Sequence, residues 1–155
     1  MSNVRFGIVG CGLIADWHAQ SILNVGARLV GASSRSPKSR DSFCSKYNIK
    51  SYDSYEDMLK DPAIDAVCIC TPSGLHADMA VQAAEAGKYI VVEKPMAITI
   101  EDCDRIINAC EKHNVLLSVI FQSRFSKPIL QLKNAVDSGW LGRLTFGDVY
   151  MKFLR

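Results

Sequence analysis

The segment Gly10-Cys11-Gly12-Leu13-Ile14-Ala15 constrains this chain more than any other. It lies between a short apolar run, Val4 to Val9, that reads as a buried strand and an apolar-periodic run, Ile14 to Val25, that reads as a helix. Gly10 permits a tight turn where strand gives way to helix, and Gly12 lets another group come close to the backbone. Ala15 lets the helix pack near the strand. The first turn of such a helix has free N–H donors and the positive end of a dipole, which together attract an anion. Gly-x-Gly-x-x-Ala at a first strand–helix junction is therefore the fingerprint of dinucleotide binding through its pyrophosphate, with Gly10, Cys11, Gly12, Leu13 and Ile14 as candidate contacts. A plain turn with incidental glycines is the bland alternative.

The rest of the chain alternates strand and helix in the way a parallel sheet requires. Arg28 to Ser33 reads as the second strand. Pro37 opens a helix carrying Phe43 and Tyr47, closed by Asn48, and a short strand follows at Lys50 to Tyr52. Ser54 and Asp57 resemble a capping box for a helix bearing Tyr55, Met58 and Leu59. Ala66 to Cys70 is an apolar run of the kind buried on both faces of a sheet. An alanine-rich helix from about Leu75 stops at Gly87, and Tyr89 to Val92 reads as strand five. Thr99 and Asp102 box the start of a helix whose Ile100, Cys103, Ile106, Ile107 and Cys110 are expected to form a core stripe, and Val115 to Phe121 reads as strand six. The expected fold is α/β, a doubly wound parallel sheet over residues 1–121.

Residues 122–155 do not belong to that sheet. Ser126 and Pro128 start another helix, with Ile129, Leu132 and Val136 spaced for burial and Gly139 at its end; Leu144 to Leu154 then reads as a strand. Two such elements cannot bury a core of their own, and a lone strand has no ladder partner. The expectation is that they open a second, sheet-containing domain and that the chain is part of a longer one.

Bulk properties exclude several classes. A formal charge of +2 without a local run of Lys or Arg gives no case for nucleic acid, and no apolar stretch reaches membrane-spanning length. The first strand begins within three residues of Met1, leaving no room for a signal peptide, so a cytoplasmic location is expected. The six cysteines have neither Cys-x-x-Cys nor zinc spacing and read as small buried hydrophobes kept reduced, so no metal site is expected.

Two further motifs stand at the ends of predicted strands: Thr71-Pro72-Ser73-Gly74-Leu75-His76 after the fourth, and Glu93-Lys94-Pro95 after the fifth. With Gly10-Cys11-Gly12, and Arg124-Phe125 beyond strand six, they closely resemble the Gfo/Idh/MocA oxidoreductases over essentially the whole chain. The resemblance implies a Rossmann domain followed by a larger α/β domain that carries substrate residues and subunit contacts, so that the whole protein is a homo-oligomer. It also implies hydride transfer between NAD(P) and a sugar, polyol or cyclic alcohol or ketone. Two departures stand out. Ser73 occupies a position where the family often has Asn, and the region in which a second-domain His and often an Asp are expected is absent.

Lys94 is the candidate catalytic residue. Ligands of open α/β sheets sit beyond the carboxyl ends of the strands, where an ammonium can stabilise an alkoxide or relay a proton. Glu93 is expected to orient Lys94 or the nicotinamide ribose, and Pro95 makes a cis Lys94–Pro95 bond accessible. Thr71 and Pro72 are expected against the cofactor; His76 is either a cofactor contact or a satisfied structural histidine; Arg124 is expected on the nicotinamide side. His18 and His113 read as a helix-face and a helix-end residue. Strand two ends in Ser33-Ser34-Arg35-Ser36-Pro37-Lys38, with no acid until Asp41. A carboxylate about 20 residues past the glycines would bind a ribose 2′-hydroxyl. Ser34, Arg35 and Lys38 instead suit a 2′-phosphate, so NADP is expected over NAD. A non-catalytic NAD(P) sensor of the same fold is the rival reading.

Overall fold

The computed structural model describes residues 4–150, and the chain divides into two compact units, 1–120 and 121–155. The first unit contains β1 (Arg5–Val9), α1 (Leu13–Asn24), β2 (Arg28–Ser33), α2 (Pro37–Tyr47), β3 (Lys50–Tyr52) and α3 (Tyr55–Lys60). After them come β4 (Ala66–Ile69), a 3-10 turn (Ser73–Leu75), α4 (His76–Glu85), β5 (Tyr89–Val92), α5 (Ile100–Lys112) and β6 (Leu117–Val119). All neighbouring strands pair in parallel, in the order β3-β2-β1-β4-β5-β6. This is the doubly wound sheet expected from the alternation, with its strand order reversing between β1 and β4.

The helices begin where local chemistry supplies acceptors for their first N–H groups. Ser36, Ser54 and Thr99 each accept from the backbone three residues on, at Ser39 (3.3 Å), Asp57 (3.0 Å) and Asp102 (3.1 Å). Asn48 closes α2 in the left-handed conformation at φ 50°.

Strand residues alternate between two cores. Val9, Val67, Ile69, Ile90 and Val92 meet α3, α4 and α5 on one face, while Ile8, Ala32 and Cys68 meet α1 and α2 on the other. Each fully buried Ile or Val contributes roughly 1.5–3 kcal/mol relative to an exposed one. Cys44, Cys68, Cys70 and Cys110 lie in these cores as small hydrophobes; Cys11 and Cys103 are half-buried.

Several expectations fail at the margins. On α5 only Ile106 and Cys110 of the expected stripe are buried, Cys103 is half-buried, and Ile100 and Ile107 are exposed. Strand six is three residues long, because it is an edge strand paired only to β5. In the second unit α6 (Lys127–Asp137) forms where expected, but Ile129, Leu132 and Val136 are all exposed. Residues 144–150 form no strand, since a ladder needs a partner; the remainder of that expected strand lies outside the described residues. Among the described residues no helix is long and apolar enough to cross a membrane.

Candidate functional site

The carboxyl ends of β1, β2, β4 and β5 meet at one edge of the sheet. The Gly10 N–H donates to the Ser33 carbonyl (2.9 Å), the Cys70 N–H to Val9 (2.9 Å) and the Glu93 N–H to Ile69 (3.1 Å). Four loops are thereby brought side by side. Between the loops after β1, β2 and β4 opens a cleft of about 450 Å³ lined by residues 10–14, by Ser34, Arg35, Ser36 and Ser39, and by Cys70, Thr71 and Pro72.

The two glycines of the fingerprint differ. Gly10 has φ +91°, and a Cβ there would stand 2.8 Å from the Cys70 backbone, so a side chain is excluded twice over. At Gly12 a Cβ would meet nothing within 4 Å: it would project into open space. Gly12 is also the N-cap of α1 and offers no side-chain acceptor, so the first N–H groups of a twelve-residue helix stay free at the cleft. Open space above Gly12 and amide donors without a side-chain cap fit a pyrophosphate.

The end of the cleft next to β2 is basic and hydroxylated. Arg35 lines it and is exposed, and the Ser36 and Ser39 hydroxyls, 3.1 Å apart, line it too. Both serines were missed in the sequence; the Ser-Pro-x-Ser start of α2 was the available sign. Lys38 is not among the lining residues, although it sits in the same first turn. Asp41 is committed elsewhere, accepting from Arg40 Nε (2.9 Å) and Ser51 Oγ (3.2 Å). Among the described residues no carboxylate lines the cleft. Burial pushes the Cys11 thiol up to about 12, so it is no nucleophile at neutral pH.

Glu93 and Lys94 lie one loop further along the same edge, after β5, while His76 opens α4 behind the Thr71–Pro72 turn; none of the three lines that cleft. Lys94 is exposed, and its peptide bond to Pro95 is cis. Glu93 is buried: its Oε1 accepts from His18 Nε2 (2.9 Å), and its Oε2 accepts the Lys94 backbone N–H (3.1 Å). His76 is buried rather than open to the cleft. It is 1% exposed, with Nδ1 2.8 Å from the Pro95 carbonyl and Nε2 2.9 Å from the Thr71 carbonyl.

His18 corrects its reading as a plain helix-face residue. Ala15, Ala19 and Ile22 are the buried positions of α1, and His18 lies three residues from the first and four from the last. That spacing placed it on the inward face, where a polar ring needs a partner. His113 caps α5, as expected of a helix-end residue. Arg124 falls in the second unit, where it is exposed and its N–H donates to the Phe121 carbonyl (2.9 Å).

This site belongs to a known architecture. Residues 4–121 match the oxidoreductase family described as having an NAD-binding Rossmann fold, GFO_IDH_MocA. The chain belongs to that family. It is 35% identical over 146 residues to the inositol 2-dehydrogenase of Salmonella typhimurium, covering 91% of this chain and 44% of that one. It superposes on the WlbA dehydrogenase of Bordetella pertussis, solved with NADH and UDP-GlcNAcA, with TM-score 0.88 and 36% identity over 92% of this chain and 44% of that one. For the scyllo-inositol dehydrogenase of Lactobacillus casei, with bound NAD(H) and scyllo-inositol, the values are 0.84, 30%, 91% and 43%. The chain spans less than half the length of the relatives it matches.

Proposed function

We propose that this chain is the cofactor-binding part of an NAD(P)-dependent dehydrogenase acting on the CH–OH group of a polyol or sugar-like substrate. The relatives named above act on or bind inositols and a sugar nucleotide, as their names state. The observation that carries the reading is the pairing, at one sheet edge, of an uncapped α1 N-terminus over Gly12 with the exposed lysine of the neighbouring loop.

When bound, the nicotinamide supplies the two-electron hydride chemistry. The chain's own residues do the rest. Backbone N–H groups of residues 12–14 hold the pyrophosphate, and Thr71 and Pro72 wall the cleft. Lys94 donates hydrogen bonds from Nζ to the substrate oxygen, stabilising negative charge there and holding or releasing its proton. Arg35, Ser36 and Ser39 favour a 2′-phosphate, so NADP is preferred over NAD, with Lys38 at most a distant charge. Residues 122–155 open the second domain, which supplies the remaining substrate contacts.

Turnover is tested on the full-length protein with myo-inositol, scyllo-inositol and UDP-sugar substrates, following reduced nicotinamide. Absence of substrate-dependent reduction across that panel would overturn the assignment. For the 2′-phosphate, Arg35→Ala is expected to weaken NADP+ about tenfold or more, the loss of one charge-assisted contact, and NAD+ hardly at all. Equal weakening of both sinks the preference.

A further inference from the structure

Lys94 is exposed, yet the residues on either side of it are tied down from opposite faces of the sheet. From the α1 face, His18 Nε2 donates to Glu93 Oε1 at 2.9 Å, and both side chains are about nine-tenths buried, at 10% and 11% exposure. The other oxygen of the same carboxylate accepts the Lys94 backbone N–H at 3.1 Å. From the α4 face, the fully buried His76 ring sets Nδ1 at 2.8 Å from the Pro95 carbonyl and Nε2 at 2.9 Å from Thr71, a wall of the cleft. One histidine thus holds the residue before the lysine, and the other holds the residue after it.

We propose that His18 and His76 form a two-sided clamp that fixes the backbone of the Lys94 turn; they are positioning residues for the lysine. The physical need is plain. A lysine side chain is a flexible four-carbon stem ending in a compact charge, so its ammonium is aimed only as well as the backbone beneath it is fixed. The same ring lies 2.9 Å from the Thr71 carbonyl, which sets the lysine's turn beside a wall of the cleft. The clamp's catalytic meaning rests on the role proposed above for Lys94; its existence does not.

The Lys94 amide is a local reporter, read by native-state hydrogen exchange on this chain. His18→Ala is expected to raise its exchange about tenfold, the loss of one hydrogen bond to a charged group, with β1 and β4 amides unchanged. His18→Gln, whose side-chain N–H can reach the same carboxylate, restores protection. His18→Met keeps the bulk without the donor, and serves if the alanine variant fails to fold. His76→Ala loosens the same amide, and His76→Asn, retaining a donor near the Nδ1 position, recovers it.

In the full-length protein with scyllo-inositol as probe, His18→Ala lowers kcat about tenfold while the cofactor KM stays within a factor of about two, and Gln rescues kcat. Wild-type exchange at Lys94 in His18→Met and His76→Ala overturns the clamp, as does failure of both conservative variants to restore it. If the wild-type protein turns over no member of the substrate panel, the proposed function fails, and the exchange measurement still decides the clamp.

Discussion

The two halves of the binding edge solve opposite problems. Around Gly10–Ile14 the chain leaves donors unsatisfied: α1 has no side-chain cap, and Gly12 faces open space. Around Glu93–Pro95 nearly every polar group that turns inward is spoken for, by His18, His76 and the Lys94 amide, and only the lysine side chain is left exposed. The difference teaches what each task requires. Backbone amides hold an anion best when nothing else occupies them. A flexible ammonium acts on a reacting oxygen only from a fixed base.

The comparison can be broken most severely at Gly10. Gly10→Ala puts a Cβ against the Cys70 backbone at φ +91°, and should cost about 3 kcal/mol of stability from strain and overpacking together with all measurable dinucleotide binding. Thermal melting and calorimetric titration check both. A variant that melts like wild type would show that the turn is not fixed as described.

Lys94→Met in the full-length protein attacks the other half. Activity should fall about 10³-fold, within the range for losing a positioned acid–base group, while cofactor affinity hardly changes. If affinity collapses along with activity, the lysine belongs to the binding half. Gly12→Ala sharpens the contrast with Gly10. Its Cβ meets no protein atom, so stability should hold within about 0.5 kcal/mol, yet pyrophosphate binding should weaken tenfold or more as the cradle fills.

The smallest expected effect lies at the far end of the sheet, where no ligand is involved. Hydrogen bonds from Arg5 Nε and a terminal guanidinium nitrogen, at 2.9 and 2.7 Å, lower the Asp65 carboxyl from 3.8 to about 2. A depressed acid contributes stability that is complete above its unfolded value and is lost as pH falls through its folded one. Asp65→Asn should therefore lower stability at about pH 6 and show less acid loss than wild type between about pH 4 and 2, in urea melts, with cofactor binding untouched. A variant whose acid limb matches wild type would show that the ion pair contributes nothing.

Much of this was legible in the residues because its causes are local. The fingerprint, the serine and threonine caps, Asn48 and the glycine stops act within one turn, and the doubly apolar strand Ala66–Ile69 announces burial on both faces. The failures lie where a second layer had to be known. Ile100, Ile107 and the apolar positions of α6 have the right period, but periodicity says only which residues share a face, not whether anything covers it.

What the sequence by itself determined was the parallel alternation, the glycine turn and the lack of an acid after β2, each a matter of neighbours along the chain. Only the tertiary structure decided that His18 meets Glu93 across 75 positions, that His76 spans Thr71 and Pro95, and that Ser36 and Ser39 line the cleft while Lys38 does not. The reason is geometric. Hydrogen bonds between distant segments depend on strand order and register, which bring the carboxyl ends of β1, β4 and β5 together and which no stretch of neighbouring residues encodes alone.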